Sequence, residues 1–309
     1  MRPAAAPEAM PVEFEIPVSG QVGPIAVSPD GKMIAWQNIG AKTLSIRSMD
    51  SNSVRTLPID AQWICWSPDG KWLAFSEGGK VQKLEASGSV AQTVSVHPGR
   101  IMGLSWTRDG GLILGFVRGS LMKVSAGGGE PVPALALDEK GGEVGQRIPV
   151  ALPDGEHVLY YSLRADVSGS GVYLARLDGN APPRRVHTRQ FFLPMGPNTS
   201  LIAINGQLAA VRFDGFWEKA GEPVILTDPM PGGSASASRD GRVIAYSSGP
   251  AANDNIVLYD RSGKKLETIP DAGPIRDCHL EMSPDGRKLL LERDAGNGQL
   301  DLWTVELGR

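Results

Sequence analysis

Short apolar runs recur along the whole chain, and polar residues alternate with them. In the stretch KWLAFSE (71–77), Trp72 and Ala74 face one way, while Leu73 and Phe75 face the other. This period of two is typical of a β-strand with two different faces. No segment has the apolar spacing of an amphipathic helix. The pattern therefore predicts an all-β chain.

A recurring four-residue turn joins the first two apolar runs of each repeat. Its best copies read Ser-Pro-Asp-Gly, and its copies begin at residues 28, 67, 107, 152, 196, 238 and 283. The copy at 196, Gly-Pro-Asn-Thr, is the most diverged, and successive copies start 39 to 45 residues apart. A period of about 40–45 residues with strand-like flanks indicates a β-propeller built from four-stranded blades.

The chemistry of this turn explains its composition. Proline presets the backbone of the second position, aspartate bonds to the local backbone, and glycine adopts the left-handed conformation that lets two strands leave as a hairpin. We therefore interpret the repeated aspartates and glycines as structural turn residues rather than as a shared site. They are Asp30, Gly31, Asp69, Gly70, Asp109, Gly110, Asp154, Gly155, Asp240, Gly241, Asp285 and Gly286.

The repeats predict a single closed propeller over residues 12–309, most simply with seven blades, and with six or eight as alternatives. Residues 1–11 are rich in Ala and Pro, and this composition predicts a flexible linker. The last repeat ends without a fourth strand, so we expect the strand VEFEI (12–16) to complete it and to remove two free sheet edges. The predicted blades span 20–60, 61–98, 99–140, 141–189, 190–230, 231–271 and 272–309, the last one with 12–16 added.

Composition narrows the range of partners. A net charge of −3 and a pI near 5.9 give no reason to expect nucleic acid. No apolar stretch is long enough to insert into a membrane, and the N-terminus lacks the apolar region of a signal peptide. Cys65 and Cys278 belong to repeats that would not be neighbours in a ring of seven, so we expect free thiols. We also expect a monomer.

The sequence offers little catalytic chemistry. Its four histidines occupy different positions in their repeats, and none has metal-ligand spacing to Cys, Asp or Glu. There is no Gly-x-Ser-x-Gly elbow and no set of kinase motifs. We therefore predict no catalytic residues, no metal, no cofactor and no enzymatic activity.

One alignment of the repeats predicts a binding site. In a propeller, the loop that leads into each innermost strand opens on one mouth of the central channel. Seven residues before the turns lie Arg100, Arg189 and Arg276, and Arg147 is close to the same level. Converging guanidinium groups would bind an anion, because their forked donors match carboxylates and phosphates. The alternative is that these are ordinary solvated loop charges or partners in local salt bridges.

The aromatic residues are expected to pack between blades, since most of them flank the repeated turn. Trp217 is different, because it lies in a long hairpin, FDGFWEKAGE (213–222). It is the aromatic side chain that we most expect to be exposed.

The sequences of several predicted blades resemble those of a known family. The phrases WSPDGKWLAFSEGGKVQKL (66–84), LPDGEHVLYYSL (152–163) and VLYDRSGKKLETI (257–269) are similar to the TolB-type propeller at the extracytoplasmic C-terminal end of membrane-anchored bacterial Ser/Thr protein kinases, an arrangement common in acidobacteria. The opening PVEFEIPVSG (11–20) is similar to the segment that follows the membrane helix of those kinases. This resemblance implies a TolB-like, WD-repeat-like fold, an extracytoplasmic location and a sensing role.

We therefore expect a non-enzymatic binding or sensor module whose partner is a small anionic ligand, a peptide or a protein. Two alternatives remain open at this point. One is a propeller lyase or hydrolase with a site in the channel. The other is the propeller domain of a serine peptidase without its catalytic domain.

Overall fold

Antiparallel sheets follow one another in chain order. The computed structural model describes residues 13–188, 192–227, 234–247, 256–259, 262, 264–269, 280–294 and 300–307. Sheet 1 contains β1 (Val22–Val27), β2 (Met33–Asn38), β3 (Thr43–Ser48) and β4 (Val54–Leu57). Sheet 2 contains β5 (Trp63–Trp66), β6 (Trp72–Glu77), β7 (Lys80–Glu85) and β8 (Gln92–Val96). Sheet 3 contains β9 (Ile101–Trp106), β10 (Gly111–Phe116), β11 (Met122–Ser125) and β12 (Val132–Pro133).

The next two sheets continue this order. Sheet 4 contains β13 (Glu143–Ala151), β14 (His157–Arg164), β15 (Gly171–Arg176) and β16 (Arg184–His187). Sheet 5 contains β17 (Phe192–Met195), β18 (Thr199–Ile204), β19 (Gln207–Asp214), β20 (Lys219–Ala220) and β21 (Val224–Ile225), the last two both pairing with β19. The helical segments of the described residues are two short 3-10 turns at Glu139–Gly141 and Val167–Gly169.

The sixth and seventh repeats form smaller sheets. β22 (Ala235–Ala237) pairs with β23 (Ile244–Tyr246), and β24 (Ile256–Tyr259) pairs with β25 (Lys265–Ile269). The seventh repeat forms a three-stranded sheet of β26 (Leu280–Met282), β27 (Lys288–Asp294) and β28 (Leu300–Glu306). The fold class predicted from the repeats, an all-β propeller, is confirmed.

The repeated turns are built as their composition requires. In the first repeat, Asp30 Oδ1 accepts hydrogen bonds from Ser28 Oγ (2.7 Å) and from Lys32 N (3.1 Å). Ser28 Oγ in turn accepts from Met33 N (2.8 Å), and Gly31 has a φ of 73°. The same bonds recur in the turns that begin at Ser67, Ser238 and Ser283. Each aspartate therefore fixes its own hairpin.

The hydrophobic core lies between neighbouring sheets. One cluster joins sheets 1 and 2 around Leu44 and Leu73, and others join sheets 2 and 3, 3 and 4, and 4 and 5. Two tryptophans of β5 add polar links in opposite directions. Trp66 Nε1 donates to Ala26 O (3.0 Å) in sheet 1, and Trp63 Nε1 donates to Ile101 O (3.1 Å) in sheet 3.

The sixth repeat packs directly against the first. β22 contacts both β17 and β1, and a cluster around Val27, Ile34 and Trp36 includes Val243 and Ala245 from the β23 region. Within the described residues, the hairpin of β22 and β23 therefore lies between sheets 5 and 1, and the number of blades stays a prediction. The seventh-repeat sheet packs beside β24 instead, through Leu258, Leu289 and Leu291.

The N-terminal segment does not serve as the predicted closing strand. Residues 13–17 form no strand, and Glu13 Oε1 accepts a hydrogen bond from Tyr246 Oη (3.1 Å). Ile16 and Val18 pack on the cluster between the sixth and first repeats. Apolar side chains at that junction need covering, and this segment covers them instead of pairing with the last sheet. The predicted linker, residues 1–11, lies outside the described residues, which begin at residue 13.

Trp217 is buried, contrary to the prediction that it is the most exposed aromatic. Its side chain is 1% exposed, and its ring centroid lies 5.1 Å from that of Phe213 and 5.7 Å from that of Phe192. A φ of 59° turns the backbone at this residue, so that the hairpin folds its indole back into the core. The free energy gained by burying an indole offsets the strain of this conformation.

Candidate binding site on the upper face

The sheets have two ends with different chemistry. At one end, the Asp-Gly turns link the first and second strands, and we call this end the lower face. At the other end, the first strands begin and the second strands finish, and we call it the upper face. The predicted arginine site belongs to the upper face, because its residues lie in or near the segments that lead into the first strands.

Arg100 lies at the upper end of sheet 3. It directly precedes β9, its side chain is exposed, and its backbone oxygen accepts a hydrogen bond from Val117 N (3.3 Å). Arg147 lies on β13 in the neighbouring sheet and is half-buried. Its Nε and Nη2 atoms donate to Val117 O at 3.1 and 2.8 Å. Both predicted residues therefore bond to Val117, Arg100 through its backbone oxygen and Arg147 through its side chain.

Arg189 and Arg276 lie outside the described residues. Their part in a ring of guanidinium groups around the channel mouth stays a prediction. The site that can be described is therefore local to sheets 3 and 4.

A further arginine, Arg118, joins this group. It follows Val117 directly, it is exposed, and its Cα lies 3.3 Å from the point where a side chain at Gly145 would begin. The sequence alignment counted residues only backwards from each turn and so missed Arg118, which lies after the second strand. Counting forwards from the same turns would have found it, since the loop after β10 reaches the same face.

The acidic residues near this group already have partners. Glu143 is 4% exposed and accepts hydrogen bonds from Ser162 Oγ (2.5 Å), Gln146 Nε2 (2.9 Å) and Asp138 N (3.0 Å). The hydrogen bond from Gly141 N and the ion pair with Arg164 lower the pKa of Asp138. These carboxylates are therefore engaged within sheet 4 and the loop that precedes it.

The backbone beside Arg147 is strained. Ile148 has a φ of 49°, which is rare for a β-branched residue, and the pairing of β13 with β14 is irregular between Arg147 and Val150. Two glycines of sheet 3 make room for this conformation. A side chain at Gly103 would begin 2.7 Å from Ile148 Cα, and one at Gly115 would begin 3.1 Å from Arg147 Cα.

The upper face is different at sheets 1 and 2. There, Gln37 Nε2 donates to Asp60 Oδ1 (2.5 Å), Asp60 N donates to Glu77 Oε1 (2.9 Å), and Gln82 Nε2 donates to Glu77 Oε2 (2.9 Å). This part of the face is acidic and hydrogen-bonded, whereas the part at sheets 3 and 4 is basic. The two halves of the upper face would therefore attract different ligands.

Other chemistry is sparse in the described part of the chain. No group of three His, Cys, Asp or Glu side chains is placed to hold a metal ion there. Cys65 is a free thiol whose pKa is raised by burial, and Cys278 is outside the described residues. A groove of about 420 Å³ lies at the lower end of sheet 3, where Lys123 Nζ pairs with Asp109 Oδ2 (2.8 Å). Within the described ranges, no helix is both long and apolar enough to cross a bilayer.

Comparison with known proteins defines the fold. No family model matches the chain, and no curated protein sequence matches it. Among solved structures, one described as a TolB from Agrobacterium tumefaciens is similar over 75% of this chain and 92% of its own, with 16% identity and a TM-score of 0.56. The chain is therefore similar to TolB-type propellers in fold.

Two further structures show how widely this fold is shared. The β-propeller domain of Cps50 (Swd1) from Myceliophteria thermophila is similar over 93% of this chain and 97% of its own, with 15% identity and a TM-score of 0.51. Hydrazine synthase of Kuenenia stuttgartiensis is similar over 98% and 99%, with 13% identity and a TM-score of 0.52. Identities this low establish the propeller architecture and no activity.

Proposed function

We propose that this chain is a non-enzymatic binding module that recognises a protein, a peptide or a small anion on its upper face. The observation that carries the proposal is the shared position of three arginines at Val117: the Arg147 guanidinium donates to Val117 O, the Arg100 backbone oxygen accepts from Val117 N, and Arg118 is the next residue in the chain. Guanidinium groups bind carboxylates and phosphates through paired hydrogen bonds. The propeller supplies a rigid support for them, because strands β9, β10 and β13 fix the segments that carry them.

The finer role that we propose is sensing at the cell envelope. The blade phrases resemble the extracytoplasmic propeller of receptor-type Ser/Thr kinases, and the fold is similar to a TolB structure. A sensor of this kind would bind its ligand outside the cytoplasm and transmit the event through a membrane helix. Determining the complete reading frame tests this role, since it predicts a membrane helix and a kinase domain upstream.

A propeller enzyme is the second candidate, and the similarity to hydrazine synthase is the observation that favours it. An enzyme needs convergent acid, base or metal-binding side chains. The upper face presents instead three arginines whose acidic neighbours have structural partners. This geometry therefore favours a binding module over an enzyme.

A thermal-shift experiment tests the binding function. The purified chain would be screened against anions, sugars, cell-wall fragments and short peptides, alongside Arg100→Ala, Arg276→Ala and the control Arg108→Ala. Arg108 is exposed at the turn of sheet 3, at the opposite end from Arg100. We expect saturable stabilisation by one anionic class that is lost in the first two variants and kept in the control. If no compound in the panel shifted the unfolding temperature, the result would contradict a ligand-binding site on the upper face.

A further inference from the structure

Two of the three arginines on the upper face are available to a ligand. Arg100 and Arg118 are exposed, and no described residue forms an ion pair or a side-chain hydrogen bond with either guanidinium. The buried carboxylate of Glu143, on the neighbouring strand β13, accepts hydrogen bonds from Ser162 and Gln146. In the same loop, the exposed Glu139 is followed by the equally exposed Lys140. The positive charge at this place is therefore not neutralised within the described part of the chain.

The third arginine is held in place. Arg147 donates twice to Val117 O, which fixes its guanidinium plane beside the backbone that carries Arg118. Gly145 permits this approach, because a side chain there would begin 2.7 Å from Val117 O. The positive φ of Ile148 adds strain that the glycines of sheet 3 accommodate. Strain of this kind concentrates at functional positions, and a rigid site loses less entropy on binding.

The shape of this surface selects the kind of ligand. The groove of about 420 Å³ lies at the lower end of sheet 3, away from Val117, while Arg100 and Arg118 are exposed. A small anion at the arginines would stay in contact with water, where a single exposed ion pair contributes only about 0–1 kcal/mol. An extended segment with several carboxylates contacts more than one guanidinium at once, and each contact raises the effective concentration for the next.

We propose that Arg100, Arg118 and Arg147, which we call the arginine seam, bind an acidic segment of a partner protein. This inference rests on the proposed binding function and adds to it a partner chemistry, a location between sheets 3 and 4, and a residue that the repeat alignment missed. Carboxylates of the segment pair with Arg100 and Arg118, while Arg147 fixes the backbone between them. The acidic half of the upper face, at Asp60 and Glu77, repels the same segment and so limits where it lies.

Fluorescence anisotropy with a labelled ten-residue peptide of alternating Glu and Ser tests this inference. Matched peptides carry Gln or Lys in place of Glu. We expect saturable binding of the Glu peptide alone, weakened by added salt. The double variant Arg100→Gln/Arg118→Gln should weaken binding about tenfold or more, the effect of losing charge-assisted hydrogen bonds.

The matched control removes the same charge elsewhere. Arg108 and Arg239 are exposed in turns at the lower face, so Arg108→Gln/Arg239→Gln should leave the affinity unchanged. If both double variants weakened binding of the Glu peptide equally, the effect would come from net charge alone. That result would overturn the assignment of the binding site to the arginine seam. Binding of the Glu peptide that survives Arg100→Gln/Arg118→Gln would overturn it as well, while leaving a binding module in place.

The source of the negative charge is tested by the last arm of the same experiment. A peptide with phosphoserine in place of Glu carries the other anion that arginine forks prefer. Tighter binding of that peptide by about tenfold, again lost in Arg100→Gln/Arg118→Gln, would replace the acidic segment by a phosphorylated one. No binding of either peptide to the unmodified chain would overturn the inference, and the wider panel would then decide on the proposed function separately.

Discussion

Two junctions in this ring are closed by different means. Between sheets 3 and 4, backbones approach closely because Gly103, Gly115 and Gly145 have no side chains. The Gln146 side chain also bonds to Leu121 and Ala136 and to Glu143 on its own strand. Between the sixth and first repeats, two side-chain hydroxyls bridge the strands, whereas sheets 3 and 4 have one such bridge, from Ala151 N to Ser105 Oγ (3.0 Å). Ser236 Oγ accepts from Val27 N (2.9 Å), and Arg239 N donates to Pro29 O (3.1 Å).

The difference indicates where the ring tolerates change. Close backbone packing leaves no room for an added atom, since protein interiors are packed like crystals. A hydroxyl bridge can lose its hydrogen bond while the strands stay in place. The junction of sheets 3 and 4 also carries the arginine seam, which we propose as a binding site. We therefore expect mutations there to have the larger effects.

The largest effect is expected from Gly103→Ala. The new Cβ would begin 2.7 Å from Ile148 Cα, and the φ of 116° at this position disfavours any side chain. We expect a loss of about 3 kcal/mol or more in the free energy of unfolding, measured by urea denaturation. Gly129→Ala is the control, because its φ is 131° but no atom lies within 4 Å of the added Cβ. Equal losses in both variants would mean that backbone conformation, rather than contact, sets the effect.

A somewhat smaller effect is expected from Gln146→Ala. Gln146 is fully buried, its Oε1 accepts from Leu121 N (2.8 Å), and its Nε2 donates to Ala136 O (3.1 Å) and to Glu143. Loss of these bonds leaves buried polar groups without partners, at a cost of about 2–4 kcal/mol by urea denaturation. The control Gln82→Ala removes a half-buried amide that bonds to Glu77, and it should lose under about 1 kcal/mol.

The junction of the sixth and first repeats is probed by Ser236→Ala. The buried Val27 N would lose its acceptor, which we expect to cost about 1–2 kcal/mol. Ser234→Ala is a graded control, since Ser234 Oγ accepts a longer bond (3.2 Å) from the half-buried Ile25 N. A Ser236→Ala loss that exceeds the loss of Gly103→Ala would contradict the ranking of the two junctions.

The smallest effect concerns the turns shared by both junctions. The ion pair with Lys123 and the hydrogen bond from Thr107 lower the pKa of Asp109 to about 2. Because the folded-state pKa lies below the unfolded one of about 3.9, the ionised carboxylate stabilises the fold above pH 4. This stabilisation is lost as the pH falls through 2. We expect less than about 1 kcal/mol, since the side chains are largely exposed.

Acid unfolding of Asp109→Asn measures this contribution. The variant should show a shallower loss of stability between pH 4 and 2 than the unmodified chain, whereas Asp50→Asn, in an exposed turn after β3, should not. The aspartates of the other turns behave in the same direction, because the Ser28, Ser67 and Ser238 hydroxyls lower the pKa values of Asp30, Asp69 and Asp240. An identical pH profile for both variants would show that the turn aspartates do not contribute to the stability of the fold in acid.

Part of the candidate site followed from the repeats and part did not. Counting back from the turns placed Arg100 on the upper face, because blades with equal strand lengths put equal positions at equal heights. Arg118 was missed, since it lies in a loop after the second strand that the count did not include. Trp217 was assigned to the surface because a long polar hairpin gives no sign that the backbone folds its indole inwards.

The sequence by itself determined the strands, the turns and the propeller class. These depend on local rules, namely the alternation of apolar residues, the φ preferences of Pro and Gly, and the bond from each turn aspartate to its own backbone. Only the tertiary structure decided that the sixth repeat meets the first, that residues 13–17 cover this junction, and that the Arg147 guanidinium bonds to Val117 beside Arg118. Those outcomes depend on which surfaces pack together across long sequence separations, and no local preference encodes that choice.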